Sequence, residues 1–172
     1  MSVTRWEQGR ADIDRLITQG RLERVTPNQE HAQVLLGQAR KAVQSAAVLA
    51  TTDDTITAFT AAYDAARKAL TAILINQGLR PGSGEGGHAV LREAVLAQLE
   101  PPNQPAVRAF GWMRQTRNSS SYPEPDGATA TEREVADGIE AAHAIIQVAA
   151  KVVPVMPVYG RQRPTSPSGN VG

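Results

Sequence analysis

Ile56-Thr57-Ala58-Phe59-Thr60-Ala61-Ala62-Tyr63-Asp64-Ala65-Ala66-Arg67-Lys68-Ala69-Leu70-Thr71-Ala72-Ile73 is the stretch whose reading decides the fold. Ile56, Phe59, Tyr63, Ala66, Leu70 and Ile73 step by three and four, so they line one side of a helix. Thr51-Thr52-Asp53-Asp54 supplies capping side chains before it, and Gly78 and Pro81 stop it. Alanine, the strongest helix former, fills most of the remaining positions. Small side chains of this kind let neighbouring helices approach closely.

The same signals recur outward in both directions. Upstream, Thr26-Pro27-Asn28-Gln29 opens a helix with a cap at Thr26 and a proline at the first helical position. Leu35, Ala39, Ala42, Ala46 and Leu49 give its apolar face. A shorter first helix fits residues 4–18, with Trp6, Ile13, Leu16 and Ile17 apolar. Downstream, Gly82-Ser83-Gly84-Glu85-Gly86-Gly87 reads as a flexible loop. Val90, Leu91, Ala94, Val95 and Leu99 form a fourth helix, ended by Pro101-Pro102. Asn103-Gln104-Pro105 opens a fifth, running to about Asn118, and Ser119 to Gly127 reads as loop. Thr131-Glu132-Arg133-Glu134 is a capping box for the last helix, with Val135, Ile139, Ala142, Ile146, Ala149 and Val153 as its stripe. The expectation is an all-α bundle of five to six helices over residues 1–153. A disordered Pro/Gly/Ser-rich tail is expected over 154–172. No internal repeat is evident.

Composition narrows the function classes. The chain of 172 residues has 41% hydrophobic and 20% charged residues, which favours one folded domain over disorder. Without cysteine, disulfides, zinc–thiolate sites and cysteine nucleophiles are excluded. The first seven residues carry no apolar core of signal-peptide length, and no run approaches the ~20 apolar residues of a membrane span. A cytoplasmic location is therefore expected. The 18 basic and 17 acidic residues nearly cancel, so nucleic-acid binding would need a local cluster.

Several apparent motifs fail on context. The glycine run has the letters of a dinucleotide fingerprint, but it follows an amphipathic helix and not a strand. Glu140 and His143 have di-iron spacing but lie one residue off the core stripe. Their only companion pair, Glu85 and His88, falls in the glycine loop. No metal site or cofactor is expected. Three histidines without a nucleophile elbow leave a hydrolase triad unsupported.

The fifth helix carries the candidate site. Val107, Phe110, Arg114 and Arg117 share a face, so the helix is apolar first and doubly cationic at its end. Two guanidinium groups there suit the helix macrodipole and form a fork of donors for phosphate. Asn118, Ser119, Ser120, Ser121 and Tyr122 follow directly. The alternative reading is a helix end bonded to its own loop.

Residues 61–79, then Gly86-Gly87-His88-Ala89-Val90-Leu91, resemble the central helix, glycine-rich loop and following helix of HEPN domains. Met113-Arg114-Gln115-Thr116-Arg117-Asn118-Ser119-Ser120-Ser121-Tyr122 resembles the active-site segment of that family, and the likeness covers roughly residues 28–153. The resemblance implies a bundle that dimerises around this segment. Many members are metal-independent ribonucleases of toxin–antitoxin and phage-defence systems, some working beside a nucleotidyltransferase. Their motif is Arg, a polar residue, then His after four to six intervening residues. Arg117 and Asn118 match, but Tyr122 stands where the histidine belongs. Tyrosine titrates near ~10 and is a poor base at neutral pH, although it can donate a hydrogen bond or stack on a base.

The resemblance thus places Arg117, Asn118 and Tyr122 as the catalytic set and Arg114, Arg117, Ser119 and Ser121 as phosphate contacts. RNA binding by a homodimer with weak or lost cleavage is the leading expectation, with an antitoxin or nucleotidyltransferase as further partner. The competing expectation is a non-catalytic interaction module. Arg117, at a helix end and outside the core, is expected to tolerate replacement by alanine without loss of the fold.

Overall fold

The computed structural model describes residues 6–84, 86–99, 104–121 and 129–160. Six helices follow in chain order: α1 (Arg10–Thr18), α2 (Gln29–Leu49), α3 (Thr55–Gln77), α4 (Gly87–Leu99), α5 (Gln104–Ser121) and α6 (Glu132–Val152). α3 is the hub. It packs against α2, α6, α5 and α4. Its alanines explain how one helix can meet four neighbours. Ala58, Ala62, Ala65, Ala66, Ala69 and Ala72 are all fully buried and hold the backbones close. Phe59, Leu70 and Leu74 fill the wider gaps. The all-α reading of the sequence is thus correct.

Chain ends and turns follow the capping chemistry with one displacement. Asp54 caps α3 by accepting from the Thr57 amide at 3.0 Å, and Gly78 closes it in the left-handed conformation at φ +79°. The α6 box forms both ways: Thr131 Oγ1 accepts from the Glu134 amide at 3.1 Å, and Glu134 accepts from the Thr131 amide at 2.8 Å. For α2 the cap is Asn28 and not Thr26. Asn28 Oδ1 accepts from the His31 amide at 2.8 Å, and Pro27 lies outside the helix. Asparagine is at least as good a cap as threonine, so the later position wins.

Two features depart from the sequence reading. Leu22–Arg24 (β1) and Leu79–Pro81 (β2) pair antiparallel, with Glu23 opposite Arg80 and their side chains 2.9 Å apart. The amide of Gly82 continues the ribbon by donating to the Arg21 carbonyl at 2.9 Å. Arg15 and Arg21 each reach Glu93 at 3.0 Å, which ties the same region to α4. The ribbon therefore anchors the start of the glycine-rich connection leading into α4. The second departure is at the C-terminal end. Residues 154–160, expected in the tail, pack back on the bundle. Met156 is buried, Asn76 Nδ2 donates to the carbonyls of Val153 and Met156, and the Tyr159 amide donates to the Gln77 carbonyl. The Tyr159 hydroxyl also binds Asp14 of α1. Residues 161–172 lie outside the described residues.

Candidate functional site

The site forms where α3, α4 and α5 meet. Tyr63 of α3 is buried and stacks on Phe110 of α5, with ring centroids 5.1 Å apart and planes 8° from parallel. Its hydroxyl lies 2.6 Å from Nδ1 of His88, the second residue of α4. Arg117 of α5 places its guanidinium 5.8 Å from the centre of the Tyr63 ring, close enough for a cation–π contact. Tyr63 thus touches both the arginine of the motif and a histidine that the motif does not contain.

An open cavity of about 280 Å³ lies in front of this cluster, lined by Gly86, Gly87, His88, Arg114 and Asn118. Arg114 and Arg117 have no ion-pair partner among the described residues. Asp64, the described acid that acts on both Tyr63 and His88, is already engaged by Arg67 and by Lys68 at 2.7 Å. Burial works to raise the Asp64 pKa, but these two cations outweigh it and hold the carboxyl below its ordinary range. The acid stays ionised and partnered, so the cavity keeps a positive potential.

That potential acts on the two central groups. Loss of hydration raises the Tyr63 pKa, against the opposing pull of Arg117, Arg114 and Arg67, so the phenol keeps its proton. His88 as a residue is exposed, but its ring packs against Tyr63. Desolvation on that side, followed by the charges of Arg67, Arg114 and Arg117, lowers its pKa, and Asp64 offsets only part of this. The imidazole is therefore neutral at physiological pH.

The residues singled out by sequence divide as follows. Arg114, Arg117 and Asn118 come together, with Arg117 Nη1 3.4 Å from Asn118 Oδ1. Arg117 differs from expectation in its packing. The helix continues a turn further, to Ser121, and Arg117 is half-buried with its Nε enclosed and unbonded. Within the helix the Ser119 hydroxyl donates back to the Gln115 carbonyl at 2.7 Å. That bond occupies the Ser119 proton. Ser120 is buried. Tyr122 and the side chain of Ser121 lie outside the described residues. Glu140, His143 and His31 are exposed on α6 and α2, away from this cluster. Sequence reasoning missed His88 and Tyr63 as site residues. One was assigned to a loop and the other to the core. Their meeting depends on the α3–α4 crossing.

A helical bundle with an arginine, a histidine and an asparagine around an open cavity, and the arginine unpaired among the described residues, defines a class of small α-helical domain with an anion-attracting face. The HEPN domain family model matches residues 32–153, and the chain belongs to that family. No curated protein and no solved structure gives a significant match. Among the described residues no helix is long and apolar enough to cross a membrane.

Proposed function

We propose that this HEPN domain binds RNA through the face formed by Arg114, Arg117, Asn118 and His88. The observation that carries the reading is Arg114 on the wall of an open cavity with Arg117 one turn further along α5, both without a carboxylate partner among the described residues. A guanidinium left unpaired at a cavity edge is a ready donor for phosphate oxygens. Family membership supports RNA as the phosphate carrier, with a toxin–antitoxin or phage-defence setting and an antitoxin or nucleotidyltransferase as partner. In this reading two copies pair around α5, so that both arginine pairs line a shared groove. Tyr122 follows the end of α5 and stacks on a base or donates to a phosphate. The location is cytoplasmic.

The interaction-module reading also has an observation in its favour. Arg117 is partly occupied in packing over Tyr63, as expected of an arginine that shapes a surface. Binding of a labelled single-stranded RNA pool, followed by fluorescence anisotropy, separates the two. RNA binding that weakens at least about tenfold in Arg114→Ala supports the RNA reading. A protein that is dimeric by sedimentation and binds no RNA supports the interaction module.

A further inference from the structure

We infer that His88, held by Tyr63, supplies the proton-transfer group that Tyr122 cannot, so that the face cleaves RNA as well as binding it. This rests on the RNA reading above and extends it from binding to chemistry. The motif at the end of α5 lacks its histidine, yet an imidazole lines the same cavity from the start of α4, beside Arg114 and Asn118.

The geometry assigns the two ring nitrogens. Nδ1 is taken by the Tyr63 hydroxyl at 2.6 Å, which leaves Nε2 as the nitrogen available to a ligand. Tyr63 is itself fixed by its stack on Phe110 and by Arg117 over its ring, so it is a positioning residue that sets the angle of the imidazole. When Nδ1 carries the proton and donates to the phenol oxygen, Nε2 presents a lone pair, as a base requires.

The charges around His88 give this base a substrate requirement. In the free protein desolvation and then Arg67, Arg114 and Arg117 oppose the imidazolium, and among the described residues the already paired Asp64 of α3 favours it. An RNA phosphate seated on Arg114 and Arg117 cancels part of that opposition. The imidazole becomes a stronger base once substrate is in place. The step is a transesterification. The 2′-hydroxyl gives its proton to Nε2 of His88 as its oxygen bonds to phosphorus. The bond from phosphorus to the 5′-oxygen breaks. The imidazolium then returns the proton, through a water molecule, to the departing 5′-oxygen. A 2′,3′-cyclic phosphate and a free 5′-hydroxyl result, and the histidine is restored.

The experiment has two parts. A mixed pool of single-stranded RNA is incubated with protein in EDTA and scored for 2′,3′-cyclic phosphate ends. Binding is followed separately with uncleavable 2′-O-methyl RNA. Wild type is expected to cut. His88→Gln is expected to cut about 100-fold more slowly or worse, with a much smaller change in binding. Tyr63→Phe is expected to keep cutting, with the acid limb of its pH profile moved to lower pH, because the imidazolium loses its acceptor. The second part needs no variant. NMR titration of His88 in wild type should show its pKa rise when 2′-O-methyl RNA is bound. Wild type that binds but makes no cyclic ends, His88→Gln that cuts like wild type, or a His88 pKa unmoved by bound RNA overturns the inference and leaves the binding reading standing. Wild type that binds neither RNA overturns that reading, and the inference falls with it.

Discussion

The hydroxyl of Tyr63 and Nδ1 of His88 lie 2.6 Å apart and join the centre of α3 to the first turn of α4 across the glycine-rich connection. The partnership places a neutral imidazole among three arginines, and it makes His88 titration a sensitive probe of the site. Desolvation, then Arg67, Arg114 and Arg117, put its folded pKa below the ordinary 6.5. As pH falls through 6.5 the unfolded chain takes up this proton before the folded one does. The His88 contribution to stability is therefore full above the ordinary value and is lost as pH falls toward the folded pKa. NMR should find His88 titrating below the ordinary 6.5. A His88 that titrates at or above that value contradicts the described environment.

Gly138 of α6 faces the Phe59 ring so closely that an added Cβ would lie 2.9 Å from it. Phe59 is fully buried and makes an edge-to-face contact with Trp112 at 5.7 Å, so it has little room to retreat. Gly138→Ala gains helix propensity but must push the ring. A net loss of about 1–3 kcal/mol is expected in urea unfolding, with both transitions two-state. An unchanged or raised midpoint would mean that the α3–α6 contact is looser than described.

Gln77 and Gln98 are each 1% exposed and bond reciprocally, at 2.7 and 3.0 Å, between α3 and α4. Gln98→Leu leaves the Gln77 amide buried without its partner. A cost of about 1–3 kcal/mol is expected. The double variant Gln77→Leu/Gln98→Leu should recover part of that loss, because no polar group is then stranded. Equal losses in single and double variants would show that packing and not the amide pair holds this crossing.

How much of this was legible in the sequence follows from the range of the interactions. The α3 stripe and the Thr131–Glu134 box were readable, because both are written within a few residues of themselves. Asn28 and Thr26 compete as caps two residues apart, and local letters do not decide between them. The ribbon of Leu22–Arg24 and Leu79–Pro81 is too short to show an alternation, and its register exists only once α1 and α3 have packed. The serines after Asn118 read as loop because their alternative hydrogen bonds, such as Ser119 to Gln115, close only inside a helix. At the site, Arg114, Arg117 and Asn118 were legible as neighbours on one helix. His88 was not, because its partner Tyr63 lies 25 residues away and meets it only through the crossing of two helices.

Arg117 has two roles, and its substitutions should separate them. Arg117→Ala removes a positive charge beside the Arg114 cavity and the guanidinium over the Tyr63 ring together. A stability loss of about 0.5–1 kcal/mol should accompany weaker RNA binding. Arg117→Lys keeps the charge but loses the planar fork, so it should recover less binding than charge alone would give. Thermal melts and anisotropy on the same samples test this. Arg117→Ala with unchanged melting would remove Arg117 from the packing role described.

The salt dependence of RNA affinity tests the central claim most directly. Each phosphate contact on single-stranded RNA adds about 0.7 to the slope of log affinity against log salt. Arg114→Ala should weaken binding and flatten that slope by about 0.7, whereas Lys41→Ala, on the exposed side of α2, should leave both as in wild type. If Arg114→Ala and wild type give the same affinity and the same slope, RNA phosphate does not sit on this face, and the account is wrong.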